Sequence, residues 1–320
     1  MGFSELFGRA ARQQTLAAPV TVVGRTLHSG VPAAMRLCPA RPDLGICFVR
    51  SDRPVRDGVI LARWNNVAPG ALCTQLVNAR GASVRVVEHV LAALVACGVD
   101  NALIEIDGDE LPIMDGSAAP LVELIERTGV VEQAAAVQVV VVRAPVEVRQ
   151  GERFACLLPA GTPRLEAGIA FPDPPIGVQH RRLQPTLQNV RRELVAARTF
   201  GYAADRERLT QQGLAHGAAL TNTVVIDAGR VVNPGGLRHA DEFIRHKLLD
   251  VVGDLALAGG PILGEYIAHQ PGHALTAALL RKLFTTEDAW TLRRAGRPVN
   301  EVMRQPFGAG VIAGQLVTHA

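Results

Sequence analysis

His246 and Asp250 stand four residues apart in the run HKLLD. On a helix, positions i and i+4 share a face, so both side chains could ligate one metal ion. An imidazole nitrogen with a carboxylate oxygen suits zinc, and three protein ligands leave a fourth position open for water. The spacing alone equally serves a capped or salt-bridged helix. A third ligand must come from elsewhere, and His89 is a candidate because it follows Glu88 at the start of another helical run. Such a pair could put an imidazole on the metal and a carboxylate beside the water, as general base; taken alone it also reads as an exposed Glu and a helix-start His. His273 sits at the mouth of the helical run in PGHALTAALLRKL (271–283). It could be a general acid, a cation facing a developing oxyanion, or only a helix cap. Asp254, one turn after Asp250, could orient a cationic His or be a surface carboxylate.

The elements that must position these residues recur in the two halves of the chain. APVTV (18–22) and LCPA (37–40) are echoed by APVEV (144–148) and LLPA (157–160), each pair reading as strand, turn, strand. VEHVLAALVACGVDNALIEIDG (87–108) has helical spacing, a stop at Gly98 and then a strand ALIEI. FIRHKLLDVVGDLALAG (243–259) is a similar helix with a His near its start. The pattern predicts an α+β fold of two similar α/β sandwich domains, helices layered on mostly antiparallel sheets. The second half is longer between strand and helix, and residues 197–227 read there as an inserted strand–helix–strand unit. A boundary falls near 130–143, where QAAA precedes the Val-rich strand VQVVVVR. The expected division is 1–136, 137–285 and a tail, 286–320, of no assigned role.

A length of 320 residues with 48% hydrophobic content allows two cores. With aromatics at 4%, Val, Leu, Ala and Ile must build them. A net charge of +3, with arginines scattered, suits an anionic small substrate or a transient membrane-surface contact. No clustered basic–aromatic face points to nucleic acid. Five cysteines without a CxxC pair argue against a disulfide framework or a cysteine zinc site and for a reducing compartment. The first residues hold no apolar run long enough for a signal peptide, Leu6 spoils a myristoylation pattern, and no stretch nears ~20 apolar residues. A cytoplasmic monomer without a transmembrane segment is the expectation.

Read together, LHSG (27–30), LCTQLVN (72–78), VEHVLAAL (87–94), DNALIEIDGDELPIMDGSAAP (100–120), RTFGY (198–202), VVNPGGLR (231–238), DEFIRHKLLDVVGDLALAG (241–259) and GHALTAALLRKL (272–283) form an ordered set. In order and spacing, from about residue 13 to 283, the chain resembles the UDP-3-O-acyl-N-acetylglucosamine deacetylase family. The resemblance implies two domains of similar fold with the site in the cleft between them. It implies zinc on His89, His246 and Asp250, with iron(II) able to take the same ligands. Glu88 would be the base, and His273, supported by Asp254, the cationic partner, on either the leaving amine or the oxyanion. Thr199 would give a hydroxyl to the tetrahedral intermediate. Phe200 and Lys247 would contact substrate, Lys247 near the diphosphate. Arg153 would stand for a family lysine, and Cys73 would lie near the metal or serve as a small buried hydrophobe. The insert would form a passage for the acyl chain, with Leu209, Leu214, Ala215, Ala218 and Leu220 on one side, or simply carry an amphipathic helix packed on its own domain. The implied activity is hydrolysis of the N-acetyl group of a UDP-linked acylated glucosamine, early in lipid A biosynthesis.

Several positions depart from the family pattern. Arg25-Thr26 adds bulk to a loop that is usually glycine-rich, and Val86 replaces a Ser or Thr. Thr221 replaces an Asp, His239-Ala240 an aromatic–acidic pair, and Gln270 a lysine. These changes spare the metal set and touch groups expected to hold the nucleotide. The same chemistry on another N-acyl amino sugar is therefore one alternative. A degenerate nucleotide-sugar binder is another, against which the intact Glu88, His89, His246, Asp250 and His273 argue. The DGDELPIMDGSAAP word reads as tight turns feeding a helix capped near Ser117, a scaffold, and His28 as the stabiliser of a turn or a helper of the site.

Overall fold

The computed structural model describes residues 2–70 and 72–295. Two five-stranded sheets dominate it, each with a pair of helices. In chain order the first unit comprises β1 (Val20–Arg25), β2 (Pro32–Pro39), β3 (Ile46–Arg50), β4 (Val59–Leu61), α1 (Glu88–Ala96), β5 (Ala102–Ile106) and α2 (Ala119–Thr128). The second repeats it with β6 (Val146–Gln150), β7 (Arg153–Leu158), β8 (Arg164–Ala170), β9 (Val178–Leu183), α3 (Glu242–Leu255), β10 (Glu265–His269) and α4 (His273–Thr285). The strand orders, β1-β2-β5-β3-β4 and β6-β7-β10-β8-β9, are the same pattern. In both, the central strand (β5 or β10) runs antiparallel to one neighbour and parallel to the other. A parallel neighbour cannot be reached by a tight hairpin, so the chain must cross over, and a helix makes that crossing. The α+β reading holds, and the loose internal echo in the sequence is one topology built twice.

Inward alternation builds both sheets: Ala33, Met35 and Leu37 are buried on β2, and Tyr266 and Ala268 on β10. α1 is buried on nearly every side, as its almost unbroken apolar run requires. Gly98 ends it in the left-handed region (φ 71°), with Val99 N–H donating to Leu94 O and Gly98 N–H to Val95 O. That is the paired carbonyl closure a C-terminal glycine permits.

Several short elements escaped the sequence. Between its fourth strand and first helix each unit carries a small three-stranded sheet. In the second it comprises Phe200–Tyr202, Val224–Asp227 and Arg230–Val231, with the first two paired parallel. This is the strand–helix–strand insert expected at 197–227, and its helix is only Arg206–Gln211, with no buried residue. The first unit has a counterpart in Val67–Ala68, Gln75–Val77 and Ser83–Arg85, so the second unit's extra residues enlarge a shared feature. Strands this short show no readable alternation. Arg12–Leu16 pairs with Val130–Ala136, and Gln138–Val142 is flanked by Ile262–Leu263 and Trp290–Arg294. The tail expected from 286 thus begins by completing a sheet; residues 296–320 lie outside the described residues. No helix among the described residues is long and apolar enough to cross a membrane, and all five cysteines are free.

The units meet where α1 packs on α3, and one continuous core includes residues of both. A Cβ on Gly253 of α3 would lie 2.0 Å from the carbonyl oxygen of Glu88 on α1. An alanine there would gain up to about 1 kcal/mol of helix propensity. The obstacle is rigid helical backbone, however, and overpacking of that kind costs about 1–3 kcal/mol. Gly253→Ala is expected to lower the urea midpoint despite improving helix propensity; an unchanged or raised midpoint would show that the two helices can separate freely.

Candidate active site

The helix crossing sets Glu88 and His89, in the first turn of α1, against the middle of α3. One helical turn on α3 separates His246 from Asp250, and both face α1. His246 Nε2 lies 3.3 Å and His89 Nε2 3.7 Å from Asp250 Oδ1. Ligand atoms of the three residues all fall within 4.8 Å of one another, and all three residues are buried. Ligands about 2.0–2.2 Å from a tetrahedral zinc stand roughly 3.3–3.6 Å apart, so the separation of 3.3 Å fits a shared cation and that of 3.7 Å lies just beyond the range. His246 Nδ1 lies 3.1 Å from Ala197 O, which fixes the tautomer and leaves Nε2 for the metal. His89 Nδ1 is buried without a partner among the described residues.

The electrostatics suit the same reading. Burial, reinforced by His246, pushes His89 down to about 3, and burial also lowers His246. Both rings are therefore neutral at pH 7, as metal ligands must be. Burial works to raise Asp250, but His246, Lys247, His273 and His89 together hold it well below the usual carboxylate range.

Beside the cluster lies a second chain of groups. His273, the first residue of α4, holds Asp254 Oδ2 at 2.9 Å through Nδ1. Its Nε2 faces Glu88 Oε1 at 3.8 Å and Asp250 Oδ2 at 4.0 Å. Burial disfavours the imidazolium, but Asp254 and Glu88 outweigh it and raise His273 to about 9. Burial lifts Glu88 to about 7, although His273 pulls the other way. A carboxyl near neutrality beside a cation that keeps its proton is a matched base and acid.

The comparisons with known proteins agree with this geometry. The family model described as UDP-3-O-acyl N-acetylglycosamine deacetylase (LpxC) matches residues 13–285. The chain belongs to this deacetylase family. It is similar to the UDP-3-O-acyl-N-acetylglucosamine deacetylase of Phenylobacterium zucineum (strain HLK1), with 41% identity over 91% of the chain and 99% of the relative. It is also similar to the deacetylases of that name from Anaeromyxobacter sp. (strain Fw109-5), 42% identical over 93% of the chain and 97% of the relative, and Myxococcus xanthus (strain DK1622), 42% identical over 95% and 96%. This is a family of metalloenzymes, and His89, His246 and Asp250 are this chain's candidate ligands.

The remaining family-implied residues are placed unequally. Segment 197–200 packs against α3 and the candidate ligand His246. Ala197 O holds His246, and Arg198 is pinned by Glu242 on α3, with Nε 2.9 Å from Oε1. Thr199 N–H donates to Gly116 O at 2.8 Å, and its hydroxyl has no hydrogen bond among the described residues. Phe200 meets the His246 ring edge-on, centroids 6.2 Å apart. Lys247 donates from Nζ to Asp250 Oδ2 at 2.8 Å, so in this structure it braces a candidate ligand. Arg153 is exposed at the mouth, its Nε 3.1 Å from Gln270 O, beside Gly272. Cys73 packs with Val86 and Ile113, and burial pushes its thiol up to about 12, so it behaves as a small hydrophobe. In LHSG the His28 backbone is the anchor. Glu110 accepts from the amides of His28 and Ser29 and pairs with Arg85, while His28 O and Leu27 O accept from His216 and Gly217 of the second unit. Asp115 accepts from Ser117 and pairs with Arg238 at 2.8 Å, tying the DGSAAP turn across the cleft as a scaffold.

Sequence reasoning missed Thr74. Its amide donates to Glu88 Oε2 at 3.1 Å, its hydroxyl donates to Asp254 Oδ1, and the hydroxyl oxygen Oγ1 lies 3.1 Å from His273 Nδ1. A hydroxyl next to Cys73 was the only signal, and its partners come from three distant segments. Thr74→Val removes the hydroxyl and keeps the volume. Turnover is expected to fall about 10–100-fold, with metal content and melting temperature close to wild type. Full activity would show that Asp254 and His273 hold each other without it.

Proposed function

We propose that the chain removes the N-acetyl group of UDP-3-O-acyl-N-acetylglucosamine, releasing acetate and the free amine, an early step of lipid A biosynthesis. The observation that carries this reading is the convergence of His89 from one unit with His246 and Asp250 from the other, with Glu88 and His273 beside them. A divalent cation on those three ligands, zinc by its N2O donor set and iron(II) as the other candidate, supplies Lewis-acid polarisation of the acetyl carbonyl and acidifies water.

The chain's own groups balance the protons. Glu88 takes one from the attacking water as oxygen bonds to the acetyl carbon. His273, held cationic by Asp254, faces the developing oxyanion through Nε2–H, and Thr199 offers its free hydroxyl to the same charge. As the C–N bond breaks, His273 gives its proton to the leaving nitrogen. Glu88 returns the water's proton to His273 across the 3.8 Å gap. Lys247 keeps Asp250 ionised and oriented. Phe200 packs beside His246, and Arg153 at the mouth is the cation for the diphosphate. Cys73 fills the wall behind Glu88.

The insert, where Leu209 and Leu214 are half-buried and Leu220 is 44% exposed, is assigned to the acyl chain. Each methylene buried there is worth about 0.8 kcal/mol. The two units are read as domains dividing at 136/137, in a cytoplasmic monomer that meets the membrane surface only transiently. Arg153 and Gln270 at the mouth, in place of family lysines, favour one second reading: the same deacetylation on a different N-acyl amino sugar.

Acetate release from UDP-3-O-acyl-N-acetylglucosamine of several chain lengths, set against the unacylated sugar, tests both readings; equal rates on all of them would remove the acyl passage. Glu88→Gln should retain metal and lose about 10²–10⁴-fold in turnover. His246→Ala should lose metal by elemental analysis. Chelation should abolish activity, and zinc or iron(II) should restore it. kcat/KM should rise as Glu88 deprotonates, at or below about pH 7 because a bound cation lowers it further, and fall near pH 9 as His273 loses its proton. His273→Ala should leave a slow rate without the alkaline fall.

A further inference from the structure

α1 and α3 run away from the metal ligands toward a second concavity. There, among the described residues, lies a cavity of about 470 Å³, a size typical of small-molecule sites. Leu94 and Val95 of α1, Leu255 of α3, Trp64 and Trp290 line it, so its wall is mostly aliphatic and aromatic. Leu91 of α1 and Val252 of α3 also border it, but none of Glu88, His89, His246, Asp250, Asp254 and His273 does, so the catalytic groups do not line this space.

One cation faces it unpaired. Among the described residues the Arg63 side chain makes no ion pair and donates no hydrogen bond, and it borders the cavity. The other charged wall groups are engaged: Arg9 with Asp100, and Asp43 with the Gln13 amide. Arg63 is built in. Its guanidinium fills the space beside Gly259 and Gly45, where a Cβ would lie 1.6 Å from Nη1 and 3.2 Å from Nη2. Both glycines are at positive φ, 84° and 74°. Burial disfavours the Arg63 cation, and the wall carboxylate of Asp43 is not within ion-pair distance of it among the described residues, so an anionic head group would relieve that cost.

We propose that this cavity binds a long-chain fatty acylate, its carboxylate paired with Arg63 and its chain laid along the α1 and α3 side chains. A single negative head on an unbranched apolar body answers both features, and the guanidinium fork matches a carboxylate bidentately.

The chain supplies its own reporter. Its only two tryptophans are Trp64 and Trp290, and both line the cavity. Hexadecanoate brominated near its terminal carbon quenches indole on contact, so a lipid in the catalytic cleft would stay silent. The metal-loaded, full-length protein should show saturable quenching that UDP-3-O-acyl-N-acetylglucosamine does not reverse. Arg63→Leu, which keeps apolar volume, should weaken it about tenfold or more. The brominated methyl ester should bind wild type and Arg63→Leu alike and more weakly than the acid binds wild type. Val95→Phe should block both lipids. If Arg63→Leu fails to fold, the acid–ester comparison on wild type still decides. Absence of saturable quenching, or equal affinity for acid and ester, overturns the proposal. None of these readouts depends on deacetylase activity.

Discussion

The molecule is organised by the near contact between Gly253 and the Glu88 carbonyl. Two helices from different units can share an active site only if their backbones come close enough for short side chains to meet. The absence of a side chain at 253 permits that approach. The first turn of α1 then faces the middle of α3, and an imidazole from one meets an imidazole and a carboxylate from the other. A bulkier residue at that crossing would push apart the base and the ligand next to it together, because Glu88 and His89 are neighbours on one helix.

Bringing these groups together concentrates buried charge. Glu88, Asp250, Asp254, Lys247 and the histidines lie within a few ångströms of one another, and burial opposes every charge among them. The balance is local. Asp254 makes His273 the histidine that keeps a proton, whereas His89 and His246 stay neutral in the same cavity. One residue type thus serves as acid and as ligand, divided by which carboxylate is in hydrogen-bond contact. The carboxylate of Asp250 is compensated by Lys247.

The duplicated topology gives each unit one catalytic role. The first carries Glu88, the candidate ligand His89 and Thr74; the second carries the candidate ligands His246 and Asp250, with Asp254 and His273. The small sheets sit at the same point in both units, before the buried helix, so their loops gather on the side where the helices begin. The ends of α1 and α3 remote from those loops border the cavity holding Arg63, and the same pair of rigid helices joins two concavities with opposite chemistry.

Much of this was legible in the residues themselves. The i, i+4 spacing of His246 and Asp250, the Glu88-His89 pair, Gly98 as a helix stop and the β2 alternation are local patterns, imposed by backbone periodicity and readable without neighbours. His273 at a helix mouth and Asp254 one turn after Asp250 were visible in the same way, and the ordered words of the deacetylase family joined them to Thr199, Phe200 and Lys247. Three-residue strands, the Trp290–Arg294 strand and the short helix of the insert have too few residues for any period to show. Thr74 and its partner Asp254 lie 180 residues apart in the chain, and the contact of Lys247 with Asp250 and the surroundings of Arg63 depend on side-chain packing that no local pattern shows. The sequence alone determined the elements and the chemistry available on each face. Which groups meet, and hence which histidine holds a proton and which cation lacks a partner, depends on distances between segments remote in the chain, and only the packing of α1 against α3 decides those.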